Sequence, residues 1–173
     1  MADRLKRLRV GGVLGWVCGL TLVLAGCADK PEGADEGVLR TDFEQITIAE
    51  QPFDLELAVT PVDRYQGLSG RESIPENGGM LFVFPRTAVR EFVMRDCVIP
   101  IDIIFVRDDG HVVATHAMQV EPLATRSNPT RRYGSGEPVR YAIELRGGRV
   151  AELGVTIGDR IELPTASLKA RAR

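Results

Sequence analysis

Residues 101–120 read IDIIFVRDDGHVVATHAMQV, and this stretch decides the fold. Ile101 to Val106 is apolar and mostly β-branched, Asp108-Asp109-Gly110 is turn chemistry, and His111 to Val120 resumes the apolar pattern. A strand, an Asp-Gly turn and a second strand form the strongest short-range hairpin signal that a sequence carries.

Upstream the same period continues. Ile46 and Ile48 alternate with polar neighbours, and Phe53, Leu55, Leu57 and Val59 alternate with Asp54, Glu56 and Ala58. A period of two marks a half-buried strand. Thr60-Pro61-Val62-Asp63 reads as a helix start, with a capping hydroxyl, a proline at the first turn and an acid three residues on; the helix ends near Gly70. Gly78-Gly79 is expected as a turn before a buried strand, Met80 to Phe84, stopped by Pro85. Glu91 to Arg95 is another short strand.

Downstream, residues 121–139 hold three prolines, two glycines and two serines and read as a long loop. Arg140 to Leu145 returns as a strand, Gly147 to Leu153 as a turn or two of helix, and Val155 to Leu163 as a closing strand broken at Gly158-Asp159. Residues 165–173, TASLKARAR, are expected as a frayed, disordered basic tail. The sum is one mainly β (β-rich α+β) domain over residues 41–164. Its expected form is a single compact barrel-like or sandwich sheet with one or two short helices.

The N-terminus reads as an address. Arg4, Lys6, Arg7 and Arg9 outweigh Asp3 and precede sixteen uncharged residues, 10–25. That run is short for a membrane span, which takes about 20 residues, and fits a signal peptide over residues 1–26. Leu24-Ala25-Gly26-Cys27 resembles the bacterial lipobox. The resemblance implies diacylglycerol on the Cys27 thiol, cleavage before it and acylation of the new N-terminus, and two or more chains hold a protein on a bilayer. Residues 27–40 then form an acidic tether. The implied location is the bacterial cell envelope, lipid-anchored and facing the periplasm. Ala28 rather than aspartate after Cys27 favours the outer membrane.

The net charge is −2, and from Cys27 onward it is −5. That balance argues against nucleic-acid binding, which needs a basic face to displace phosphate counterions. Three lysines, Lys6, Lys30 and Lys169, stand among many arginines. Once Cys18 leaves with the leader and Cys27 carries lipid, Cys97 has no intramolecular partner.

The stretch from Arg64 to Leu163 resembles domain-of-unknown-function family 192. The residues that carry the likeness are Arg64, Gly67-Leu68, Gly79-Met80-Leu81-Phe82, Phe92-Val93-Met94, Ile99-Pro100-Ile101-Asp102, Phe105, Gly110, Tyr141-Ala142-Ile143-Glu144, Gly147-Gly148 and Gly158-Asp159. Where the family commonly has Asn-Thr, this chain has Asp96-Cys97, and Val93 replaces a frequent aromatic. The family has no established activity. The resemblance implies a compact, mostly β domain, often exported.

Arg64, Asp102 and Glu144 are ionisable groups set among apolar segments, where charges are seldom left unpaired. They are candidates for a polar binding site at one end of the sheet, with Met94 beside them, or for a structural ion-pair network. Met94, Cys97 and His116, with Met80 or Met118, are the soft donors that suit Cu(I), although Met94-x-x-Cys97 is not a specific spacing. Cys97 with His111 or His116 and an aspartate is a conceivable nucleophilic set, and Ser69 lacks the elbow spacing of a hydrolase. Arg126, Arg131, Arg132 and Arg140 gather near Tyr133 in or beside the long loop. No phosphate loop, dinucleotide fingerprint or zinc spacing occurs, so no cofactor is expected.

The leading expectation is a binding or interaction domain for a carboxylate- or phosphate-bearing ligand or an envelope component. The alternatives are a hydrolase using Asp102 and Glu144 as acid and base, and a structural envelope adaptor.

Overall fold

A computed structural model of the chain describes residues 42–121 and 131–173. The leader, Cys27, the tether and Arg126 lie outside the described residues. The described part carries strands β1 (Phe43–Ile48), β2 (Gln51–Ala58), β3 (Gly78–Ala88), β4 (Glu91–Phe92), β5 (Ile101–Val106), β6 (Val112–Met118), β7 (Tyr133–Gly134) and β8 (Val139–Arg146). Its helices are α1 (Pro61–Gln66), α2 (Arg149–Leu153) and α3 (Thr165–Arg171).

Six strands form one open mixed sheet in the order β1-β2-β3-β8-β5-β6, and β4 pairs with β7 in a separate ribbon. Only β2 and β3 run parallel, and α1 lies in the connection between them. The expected hairpin is β5–β6, antiparallel across Arg107 to His111. The mainly β expectation holds as a sandwich-like arrangement; the sheet does not close as a barrel.

The central strands β3, β5 and β8 are apolar on both faces because both faces are covered. On one face Leu81, Val83, Ile104, Tyr141 and Ile143 pack under Val155, Ile161 and Leu168. On the other, Met80, Phe82, Ile103, Phe105 and Ala142 pack under Leu68, Ile74, Met94 and Tyr133. The helices α2 and α3 therefore belong to the first layer. The β4–β7 ribbon and the loop after α1 belong to the second.

Several local readings hold and several are corrected. Thr60 and Asp63 cap α1 reciprocally, the Thr60 side chain accepting from the Asp63 N–H at 3.2 Å and the Asp63 carboxylate from the Thr60 N–H at 3.0 Å. The helix stops earlier than expected, at Gly67, whose φ of +52° suits glycine. Gly78 and Gly79 lie inside β3 rather than in a turn before it. Pro85 does not stop that strand; it falls in the irregular stretch between Val83 and Ala88, where pairing with β8 slips. Proline is tolerated there because no ladder N–H is needed.

Val155 to Leu163 forms no strand. It meets the start of β6 through one bridge, His111 to Arg160, and backbone hydrogen bonds of Gly158, Asp159 and Ile161 with Val112 and Gly110, and it goes no further as a strand because Thr156 and Asp159 close a local turn at 2.7 Å and Gly158 takes a φ of +98°. Residues 165–173 are not frayed but carry α3, so three helices rather than one or two stand among the described residues. Leu168 of α3 is fully buried against the sheet, and Arg171 forks to Asp42 at 2.8 Å and Glu44 at 3.2 Å. One well-seated leucine and a distant pair of acids order a segment whose composition reads as a tail.

Candidate functional site

Alternation along three neighbouring strands places the ionisable residues. Ile103 of β5 and Met80 of β3 both stand opposite Glu144 of β8, so Glu144 projects to the ribbon side of the sheet. Asp102, one residue earlier on β5, projects to the helix side. There its carboxylate accepts a 2.8 Å hydrogen bond from the Val150 N–H at the start of α2. Asp102 and Glu144 thus lie on opposite faces, and the carboxylate pair a hydrolase would use is not assembled.

On the ribbon side a cleft of about 330 Å³ opens between α1, the end of β3 and the segment from Val89 to Cys97. Arg64 and Glu144 both line it. Arg64 makes no ion pair with an Asp or Glu among the described residues. One of its terminal nitrogens donates to the Val59 and Val83 carbonyls at 2.7 and 2.9 Å, and the other to a terminal oxygen of Arg173, the last residue, at 2.7 Å. Those bonds fix the guanidinium in place. Burial, and then the like charge of Arg90, lower its pKa, and Asp63 opposes them.

Arg90 and Arg95 complete the basic lining. The guanidinium carbons of Arg90 and Arg64 lie 4.0 and 5.4 Å from the centroid of one ring, Phe84. Arg95 stacks on Tyr65 at 4.2 Å and donates to its carbonyl. The Nε donors of Arg90 and Arg95 are buried with no partner among the described residues. Phe92 meets Phe82 and Phe84 edge-on at 4.9 and 6.4 Å and supplies the apolar wall.

Glu144 stands at the inner end. It is 6 % exposed, its Oε2 has no hydrogen-bond partner among the described residues, and burial pushes its pKa up to about 8. Gly67 keeps the way to it open. A Cβ there would sit 3.4 Å from the Phe82 ring and 3.9 Å from the Glu144 oxygen.

The turn before β5 forms one side of the cleft. The Ser69 hydroxyl donates to the Arg95 carbonyl at 2.8 Å and the Gly70 N–H to Asp96 at 2.9 Å. Asp96 has a φ of +54°, a region that Asn and Asp enter more readily than other side chains. Aspartate in place of the family's common asparagine therefore preserves the turn. The Cys97 thiol lies 3.5 Å from the Arg95 carbonyl. Burial, then the nearby Glu144 charge, raise its pKa to about 11, so it is a neutral thiol at physiological pH and no activated nucleophile.

The remaining candidates separate. Met94 is buried in the ribbon-side core. His116 shares a 2.8 Å hydrogen bond with the Gly134 carbonyl and packs on Phe105 and Tyr133. With Cys97 turned to a carbonyl, these three soft side chains have different partners. Among the described residues no group of three His, Cys, Asp or Glu is placed to hold a metal. The arginines near Tyr133 also disperse, Arg132 to Glu91 at 3.0 Å, Arg131 onto the Tyr133 ring and Arg140 to Asp108 at 2.8 Å. Arg90 and Arg95 escaped the sequence reading. Their role depends on how the ribbon folds over the sheet, and the one local signal was the arginine directly after Phe92-Val93-Met94.

A two-faced open sheet with a basic cleft under one cover defines a small β module. The chain belongs to DUF192, the domain-of-unknown-function family described as uncharacterized ACR, which matches residues 44–163. A candidate transcription regulator from Sinorhizobium meliloti 1021 is similar in structure, with 34% identity, a TM-score of 0.60 and coverage of 68% of this chain and 89% of that one. A protein of unknown function from Novosphingobium aromaticivorans is also similar, at 30% identity, a TM-score of 0.59 and coverage of 69% and 82%. No curated protein matches the chain.

Proposed function

We propose that this chain is a lipid-anchored envelope protein whose domain binds a small anionic ligand in the arginine-lined cleft. The supporting observation is the pair of guanidiniums, Arg64 and Arg90, on the Phe84 ring with no Asp or Glu among the described residues paired to either. Cations that repel each other in a part-buried site gain from an anion between them, and an arginine fork suits a carboxylate or phosphate. The cleft volume lies at the small end of ligand sites.

Native mass spectrometry of the full chain in detergent tests the binding. The wild type is expected to carry a small anion or to take up added benzoate or phosphate. Arg90→Gln should bind at least tenfold more weakly, the worth of one charge-assisted hydrogen bond. A wild-type chain that emerges bare and takes up neither probe would overturn the reading.

The anchor rests on Leu24-Ala25-Gly26-Cys27. In bacteria fed radiolabelled palmitate the chain should take up label and Cys27→Ser should not. Equal labelling of the two would remove the lipid.

A further inference from the structure

Resting on that reading, we propose that Glu144 is a protonated carboxyl that donates a hydrogen bond to the bound anion. On this view the cleft selects a carboxylate on a small apolar body and releases it at alkaline pH.

The geometry carries this. Glu144 is on a central strand with Met80 and Ile103 directly opposite, yet its Oε2 is unpartnered and the residue lines an open cleft. A buried polar atom left without a partner is costly, and Gly67 leaves a route by which a guest could supply one. Arg64 does not pair with the carboxyl, because its terminal nitrogens are spent on main-chain oxygens of Val59, Val83 and Arg173.

The titratable and charged groups around Glu144 are few. Arg64 and Tyr65 come from α1, Arg90 and Glu91 from the β3–β4 side, and Arg95, Asp96 and Cys97 from the turn before β5. On this face β3 offers Met80, Phe82 and Phe84 and β5 offers Ile101, Ile103 and Phe105, none of them titratable. His116 of β6 stands one strand further along the same row, beyond Ile103, held to Gly134, with Tyr133 beside it. With burial holding the proton to about pH 8, a neutral Glu144 presents an O–H to an incoming carboxylate. The two acids then share one proton, as closely spaced carboxyls do.

The ligand class follows from the lining. Arg90 and Arg95 each offer an unpartnered Nε–H. Phe84 and Phe92 take an apolar or aromatic body beside the charged head. A carboxylate meets a single carboxyl donor and the guanidinium forks with its two oxygens. A phosphate dianion carries more charge and no apolar body for the phenyl wall.

Isothermal titration of the full chain in detergent, with benzoate and inorganic phosphate as probes at pH 6 and pH 9.5, tests this. If only the protonated form binds, wild-type affinity for benzoate falls about thirtyfold between the two pH values. Glu144→Gln, which keeps an N–H donor and cannot ionise, should hold its affinity across the range. Infrared difference spectra of the wild type give a readout independent of the variant, since a protonated-carboxyl C=O band should be present at pH 6 and shift when benzoate is added.

Benzoate binding with the same pH slope in wild type and Glu144→Gln, or no band shift, would overturn this inference and leave anion binding standing. Binding of phosphate in preference to benzoate would overturn the ligand class. Binding of neither would overturn both this inference and the proposed function.

Discussion

Glu144→Gln is expected to unfold at a clearly higher temperature than the wild type at pH 9, and at nearly the same temperature at pH 5. The folded state keeps the Glu144 proton to about pH 8, whereas the ordinary value is 4.5. Between those values the folded chain holds a proton that the unfolded chain has released. Stability therefore falls as pH rises through this window, by about 1.4 kcal/mol for each unit. The whole window amounts to roughly 5 kcal/mol, or about 15–20 °C in Tm for a domain of this size. Glutamine has no charge to bury and escapes the loss. Its amide still lacks a partner in the empty site, at the same cost at both pH values, so the widening gap between the two chains isolates the carboxyl. Thermal or urea melts of both chains across pH 5 to 9 read it directly. Curves that stay parallel would mean that Glu144 is ionised in the folded protein throughout.

Gly79→Ala is expected to abolish the native fold. Gly79 sits in β3, between β2 on one side and β8 on the other. Its φ is +156°, and a Cβ there would lie 2.2 Å from the Glu144 carbonyl oxygen and 2.9 Å from a Leu145 methyl. The nearer obstacle is backbone, held between two neighbouring strands, and it cannot retreat without parting the central ladder. We expect a cost above about 4 kcal/mol, in the range reserved for gross steric conflict. Gly136→Ala provides the contrast. That glycine has a φ of +68° with nothing within 4 Å of the added atom, so only the backbone preference is lost, about 1–2 kcal/mol. Circular dichroism and soluble yield of the two variants measure the difference. A Gly79→Ala chain that melts like the wild type would refute the packing account.

Local chemistry explains which parts of this architecture could be read in advance. The β5–β6 hairpin and the α1 cap are written in consecutive residues, Asp109-Gly110 and Thr60 with Asp63, and they appear as read. Of the charges that stand among apolar segments in the sequence, Asp102 and Glu144 are buried and Arg64 is half-buried. Their relative placement depends on Ile103 standing opposite Glu144, a pairing between strands far apart in sequence. A slip of one residue would exchange the faces. The same holds for Arg90 and Arg95, which enter the cleft only because β4 pairs with β7 across the chain. The segment 165–173 was misread for a related reason: Leu168, Asp42 and Glu44 make it a helix together, and only one of these lies within it.

The sheet with two unlike coverings also divides the labour of heredity. Along β3, Met80, Phe82 and Phe84 face the guest side while Leu81 and Val83 face the opposite layer; along β8, Ala142 and Glu144 stand against Tyr141, Ile143 and Leu145. Odd and even positions of one ribbon therefore answer to different selective pressures. Descendants of this chain can drift toward new guests by changing every second letter of three strands, while the interleaved letters stay fixed and the scaffold is inherited intact.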